Sequence, residues 1–133
     1  MNGIHKALSR LPAWVLSILT ILAILWLTLA PKPLGENPPP LFPGADKVAH
    51  LLMFGGLSIM LLLDIQRRHN WRPDTILEAL ICALFSSFFG IAIEFAQDGM
   101  GLGRGFDYGD IIADCLGSFV FASLYVLLQK FWV

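Results

Sequence analysis

His50 follows Asp46 by four residues, Gln97 follows Glu94 by three, and Asp114 follows Asp110 by four. Residues three or four apart share a helix face, so each pair presents two polar groups in one direction. With Lys47, Arg104 and Asp107 they form a candidate binding set, and His50, Glu94 and Asp110 are its catalytic candidates. An imidazole beside carboxylates can be a general base, a nucleophile or a metal ligand, with Glu94 orienting it. Arg104, flanked by glycines, can clamp a phosphate through two parallel hydrogen bonds. Plainer roles compete. His50 can bond Glu94 or Asp46 and hold two helices in register, and Gln97 can close an interhelical hydrogen bond. Asp107 or Asp110 can cap the helix that follows. Asp114 is too far inside that helix to cap it, so a buried pair or a functional role leads there. Counting Asp98, the set holds six acids against two fixed cations, Lys47 and Arg104. Such a surplus has three outlets: a bound divalent cation, carboxyls that keep their protons, or an incoming cationic group.

The elements that must position these residues are apolar. Of the 133 residues 56% are hydrophobic and only 14% charged, with a mean hydropathy of +0.70. Soluble domains carry about 25% charged residues, so the composition indicates an integral membrane protein. Apolar stretches at about 12–30, 48–64, 76–97 and 110–129 predict an all-α, four-helix transmembrane bundle forming a single domain over 1–133. A membrane-crossing helix needs about 20 residues. The second stretch is short, and snorkelling ends can extend it. The run from Leu11 to Ala30 is too long for a signal-peptide core and is expected to be a retained span.

The connectors differ in kind. Residues 31–45 are proline-rich and predict an extended linker. Residues 64–75 form a basic loop, in which Thr75 with Glu78 matches a capping box. Residues 98–109 contain five glycines. Lys6, Arg10, Arg67, Arg68, Arg72 and Lys130 fall on one side of the expected topology, against Lys32, Lys47 and Arg104 on the other. Cytoplasmic segments carry the excess, so both termini are expected inside and the polar residues are expected to gather at the outer face. Trp14, Trp26, Trp71 and Trp132 fit interfacial belts. Cys82 and Cys115 differ in expected depth and read as buried hydrophobes rather than a disulfide.

In order and spacing the polar motifs resemble the VanZ-like family. Asp46-Lys47-Val48-Ala49-His50, followed by Phe54 and Gly55, is similar to its opening signature. Glu94-Phe95-Ala96-Gln97 is similar to its Glu-x-x-Gln element, and Arg104-x-x-Asp107-x-x-Asp110 with Asp114-x-x-Gly117 to its closing element. The resemblance covers about residues 46–120, and the leading helix fits a four-span pattern. Asp114 departs from it, since many relatives carry Asn there. The resemblance implies a multi-pass protein of the bacterial cytoplasmic membrane acting at its outer face. The family is named for a protein conferring low-level resistance to the glycopeptide teicoplanin, and that activity does not follow for this chain.

Other chemistries are excluded by pattern. A net charge of −1 with no basic stripe speaks against nucleic-acid binding. There is no His-x-x-x-His zinc pair, no Ser–His–Asp arrangement and no P-loop. The glycine-rich segment has G-x-G-x-G but follows no strand, which makes it a weak dinucleotide signal. Three readings stay open. One is a polar site engaging membrane lipid, a lipid-linked cell-wall precursor or a glycopeptide-type antibiotic. Another is a membrane-embedded phosphotransferase or hydrolase on a lipid-linked substrate. The third is a structural or assembly subunit. Self-association into a homo-oligomer also stays open.

Overall fold

A computed structural model describes residues 2–36, 41–101 and 105–133. All regular structure among them is helical: α1 (Gly3–Ser9), α2 (Val15–Leu29), α3 (Ala45–Arg68), α4 (Ile76–Gly99) and α5 (Tyr108–Leu128), ending in a 3-10 turn, Gln129–Phe131. Ala45–Arg68, Ile76–Gly99 and Tyr108–Phe131, 24 residues each, are long and apolar enough to cross a membrane. At 1.5 Å per residue each is about 36 Å long, against a hydrocarbon core of about 30 Å.

The first apolar stretch folds differently from expectation. Its helix runs only from Val15 to Leu29, 15 residues, instead of across 12–30. Pro12 lacks an amide hydrogen, and Trp14 adopts a left-handed conformation at φ 60°, so α1 and α2 are separate. The third helix starts as expected, because Thr75 and Glu78 form a complete capping box.

Polarity is inverted relative to a water-soluble domain. Ser58, Asp64, Gln66, Ser86, Glu94, Asp114 and Ser118 are wholly buried, whereas Ile76, Leu77, Phe88 and Phe95 lie open on the outside. In water such an apolar exterior would drive aggregation. Against lipid it costs nothing, while the polar groups need partners inside. α3 packs most extensively on α5, and α5 next on α4. Small residues permit this: a Cβ on Gly117 would meet the Leu51 carbonyl oxygen at 2.1 Å, so the two backbones touch there. The Ser118 and Ser86 hydroxyls meet at 2.9 Å, and Ser86 donates to the Phe54 carbonyl at 2.9 Å, tying the three helices below the polar end. α2 rests on α3 and α4 through Ile24, Phe54, Leu57 and Ile93.

Polar residues gather at both ends of the helices, and this corrects the expectation of a single polar face. At the end of α3 remote from His50, buried Asp64 accepts hydrogen bonds from the Ser17 amide (2.8 Å) and hydroxyl (2.7 Å) and pairs with Arg67. A carboxylate from α3 thus caps the start of α2, whose own N-cap, Trp14, offers no side-chain acceptor. Arg67 also donates to the carbonyls of Leu8, Leu11 and Pro12, which seats α1. Beside it, Gln129 bonds Gln66 and the backbone of Asp74, and Tyr125 donates to Gln66. Trp71 belongs to this inner layer rather than to a belt: it is buried, stacks on His5 at 4.1 Å and donates to Ser9. Cys82 and Cys115 are free thiols.

Candidate functional site

α3 begins at Ala45 after Gly44, which takes the left-handed φ of 84° that glycine tolerates. That start puts Asp46, Lys47 and His50 on the first two turns of α3. α4 ends at Gly99 and brings Glu94 and Gln97 to the same level. α5 opens behind Asp107, whose side chain accepts from the Gly109 amide as an N-cap, so Asp110 and Asp114 follow on its first turns. The capping role foreseen for Asp107 or Asp110 therefore goes to Asp107.

His50 is the hub. Its Nδ1 lies 2.8 Å from Asp114 Oδ1, and its Nε2 lies 3.5 Å from Asp110 Oδ2 and 3.9 Å from Asp46 Oδ1. The ring is 4% exposed and Asp114 is wholly buried, so the pair is sheltered from both water and lipid. Phe54, one turn further along α3, lies nearly parallel to the imidazole at 6.2 Å. Lys47 pairs with Asp107 and, at 2.5 Å, with Asp110, and reaches Asp46 at 3.4 Å. The Lys47 ammonium holds the Asp107 carboxyl below the usual carboxylate range. Glu94 Oε2 accepts from the Asp107 amide at 3.1 Å, joining α4 to the loop before α5. Among the described residues, Glu94 Oε1 and Asp114 Oδ2 are buried with no hydrogen-bond partner.

The imidazole's partners differ from those foreseen. It bonds Asp114, with Asp110 and Asp46 further off, while Glu94 is held by backbone. Gln97 takes the plainer of its two roles, donating to the Thr28 carbonyl on α2 at 2.8 Å, although it also borders the cleft described below. Arg104 lies outside the described residues. Gly90 was not foreseen as part of the site: a Cβ there would fall 2.6 Å from Asp114 Oδ2. A glycine inside an apolar span, facing a helix that bears an unexplained carboxylate, is the signal that could have found it.

A cleft of about 880 Å³ opens onto this cluster. Asp46, His50, Gln97, Asp107 and Asp110 border its polar part, and Leu27, Leu34, Leu41, Phe42, Leu52 and Met53 its apolar part. The carboxylates outnumber the cations, so this end can accept hydrogen bonds from hydroxyl or amino groups or hold a cation. His50, oriented by a buried carboxylate, also has the arrangement of a general base.

No curated protein and no solved structure matches the chain. The VanZ/LLP1 family model matches residues 8–129, a longer stretch than the motifs span, taking in α2 and all three long helices. With its apolar, membrane-length helices and its Asp-Lys-x-x-His, Glu-x-x-Gln and Asp-x-x-Asp elements, this membrane protein belongs to the VanZ/LLP1 family.

Proposed function

We propose that this chain is a multi-pass protein of the bacterial cytoplasmic membrane whose cleft binds the headgroup of a lipid-linked cell-envelope molecule at the outer face. The observation that carries this reading is the division of the cleft: a polar end with His50, Asp46, Asp107 and Asp110, continuous with an apolar wall of Leu34, Leu41, Phe42 and Met53. A lipid with a hydroxyl-rich head and a hydrocarbon tail has the same division. Carboxylates accept from sugar hydroxyls and from amines, so a glycopeptide antibiotic is a competing ligand. α2, though short, packs along α3 and α4 and supports a fourth crossing. The basic residues Arg67, Arg68 and Arg72 lie at the opposite end from the cleft, which supports a cytoplasmic position for that end and for both termini.

The test is binding of a polyprenyl-diphosphate-linked disaccharide to the protein in nanodiscs. Saturable binding is expected, weakened at least tenfold in Asp110→Asn. Equal affinity in wild type and variant, or no saturable binding, overturns the reading. Saturable binding of teicoplanin but not of the lipid would give the cleft to the antibiotic instead.

A second reading, hydrolysis or transfer at a phosphorylated headgroup, is favoured by the His50–Asp114 pair. A buried carboxylate bonded to one ring nitrogen leaves the other facing the cleft side as a base. Release of the headgroup from the same lipid, lost in His50→Ala while binding persists, is the expected result for an enzyme. Binding without release removes this second reading.

A further inference from the structure

We propose that His50, which borders the cleft, forms a buried divalent-cation site with Glu94 and Asp114, suited to Mn2+. The three come from three different helices, α3, α4 and α5, and one donor atom from each lies within 4.8 Å of the other two. Metal–ligand bonds of about 2.1 Å would draw such atoms together with small side-chain movements. Glu94 and Asp114 are wholly buried, and each has one oxygen occupied and one left over. Glu94 Oε2 is taken by the Asp107 amide and Asp114 Oδ1 by His50. Glu94 Oε1 and Asp114 Oδ2 have no partner among the described residues.

A carboxylate oxygen shut away from water needs a donor, a cation or a proton of its own. Lys47 is already engaged by Asp107 and Asp110. The Asp107 amide holds Glu94 in place, as an outer hydrogen bond holds a metal ligand, and Gly90 lets the Asp114 carboxylate pack closely against α4. Two carboxylates with one imidazole form an oxygen-rich set with a single nitrogen, which Mn2+ accepts. A second group, Asp46, His50 and Asp110, shares the histidine, but Asp46 is exposed and Asp110 is bound to Lys47. The buried triad is therefore preferred. The headgroup reading is needed only for what the ion would do, which is to let an anionic phosphate approach a cleft otherwise rich in carboxylates.

The experiment is titration of the detergent-purified, metal-stripped full chain with Mn2+ alone, followed by electron paramagnetic resonance. One ion per chain is expected at micromolar affinity, with nitrogen-14 coupling in the echo modulation from the imidazole. Glu94→Gln and Asp114→Asn should each weaken binding at least tenfold, and Glu36→Gln, on the exposed linker, should not. The coupling is read on the wild-type protein, so it tests the site even where a variant fails to fold. No saturable Mn2+ binding up to millimolar, or bound Mn2+ without nitrogen coupling, overturns the proposal. Headgroup binding that is unchanged by chelator in a chain that binds no Mn2+ would sink the ion and leave the headgroup reading standing. Mn2+ binding without headgroup binding would do the reverse.

Discussion

Asp74 is the buried acid for which this structure makes the clearest statement about acidity. It lies in the loop between α3 and α4, 4% exposed, and neither carboxyl oxygen has a partner among the described residues, although its backbone is clasped by Gln129. Burial pushes its pKa up to about 7; Glu78 adds to the rise and Arg72 offsets part of it. The unfolded chain loses this proton near 3.8, so between about pH 4 and 7 the folded protein holds a proton that the unfolded one has released. Stability from this group therefore falls as pH rises through that window and levels off above it. Asp74→Asn keeps the shape without the charge. It is expected to melt higher than wild type at pH 8, with the difference shrinking at pH 5, in thermal unfolding of detergent-purified protein. A constant difference across that range would refute the assignment. At the same end, Asp64 and Arg67 show the opposite solution. Theirs is a buried pair whose spare valences are spent on the Ser17 amide and on three carbonyls, the satisfied condition under which buried ions are tolerated.

Between elements, glycines set the distances. Gly117 allows α5 to meet the backbone of α3 at Leu51, and Gly55 lies under the Phe121 ring, 2.2 Å from where its own Cβ would be. Small residues at helix contacts are the usual means of close approach where lipid removes the hydrophobic drive between helices. Gly117→Ala must push backbone from backbone, because no flexible side chain can yield at that contact. The expected cost is about 1–3 kcal/mol, with His50 drawn away from Asp114. A lower melting temperature together with at least tenfold weaker headgroup binding is the predicted pair of effects. An alanine variant as stable as wild type would show that the seam is looser than described. α2 depends on a different device, the Asp64 cap at its start and the Gln97 bond to Thr28 near its end. These polar clamps position a helix too short to cross the bilayer at full thickness unaided.

At the scale of the whole molecule, two buried polar layers are separated by a largely apolar middle that holds the buried serines Ser58, Ser86, Ser87 and Ser118, and apolar side chains cover the outside. One layer is knitted by hydrogen bonds around Asp64, Gln66 and Gln129, with the Asp74 carboxyl left unpartnered among the described residues, and it has the arginines beside it. The other keeps unspent carboxylate oxygens and opens into a cleft. Under the proposed function the cleft gives ligand work to the second layer, while the first clasps α1 and α2. The proposed orientation makes a prediction of its own. In a Cys82→Ala, Cys115→Ala background, a cysteine at Gly105 should react with an impermeant maleimide in intact cells. One at His69 should react only after lysis. The reversed pattern would put the cleft on the cytoplasmic side.

A resemblance of motifs pointed to the VanZ/LLP1 family, and composition and local pattern carried the membrane assignment, the all-helical class and the capping box at Thr75. These follow from local properties, since transfer of a side chain to lipid and the start of a helix depend on neighbours in the chain. The sequence also drew His50, Glu94, Asp110 and Asp114 to one level, because level along a span follows from residue count. It could not say which carboxylate the imidazole would meet, that Gln97 would turn to α2, or that Asp64 would cap a helix 47 residues away. Those choices depend on how each helix is rotated about its axis. That rotation is decided where Gly117 meets Leu51 and Gly90 makes room for Asp114, contacts that exist only once the helices are packed together.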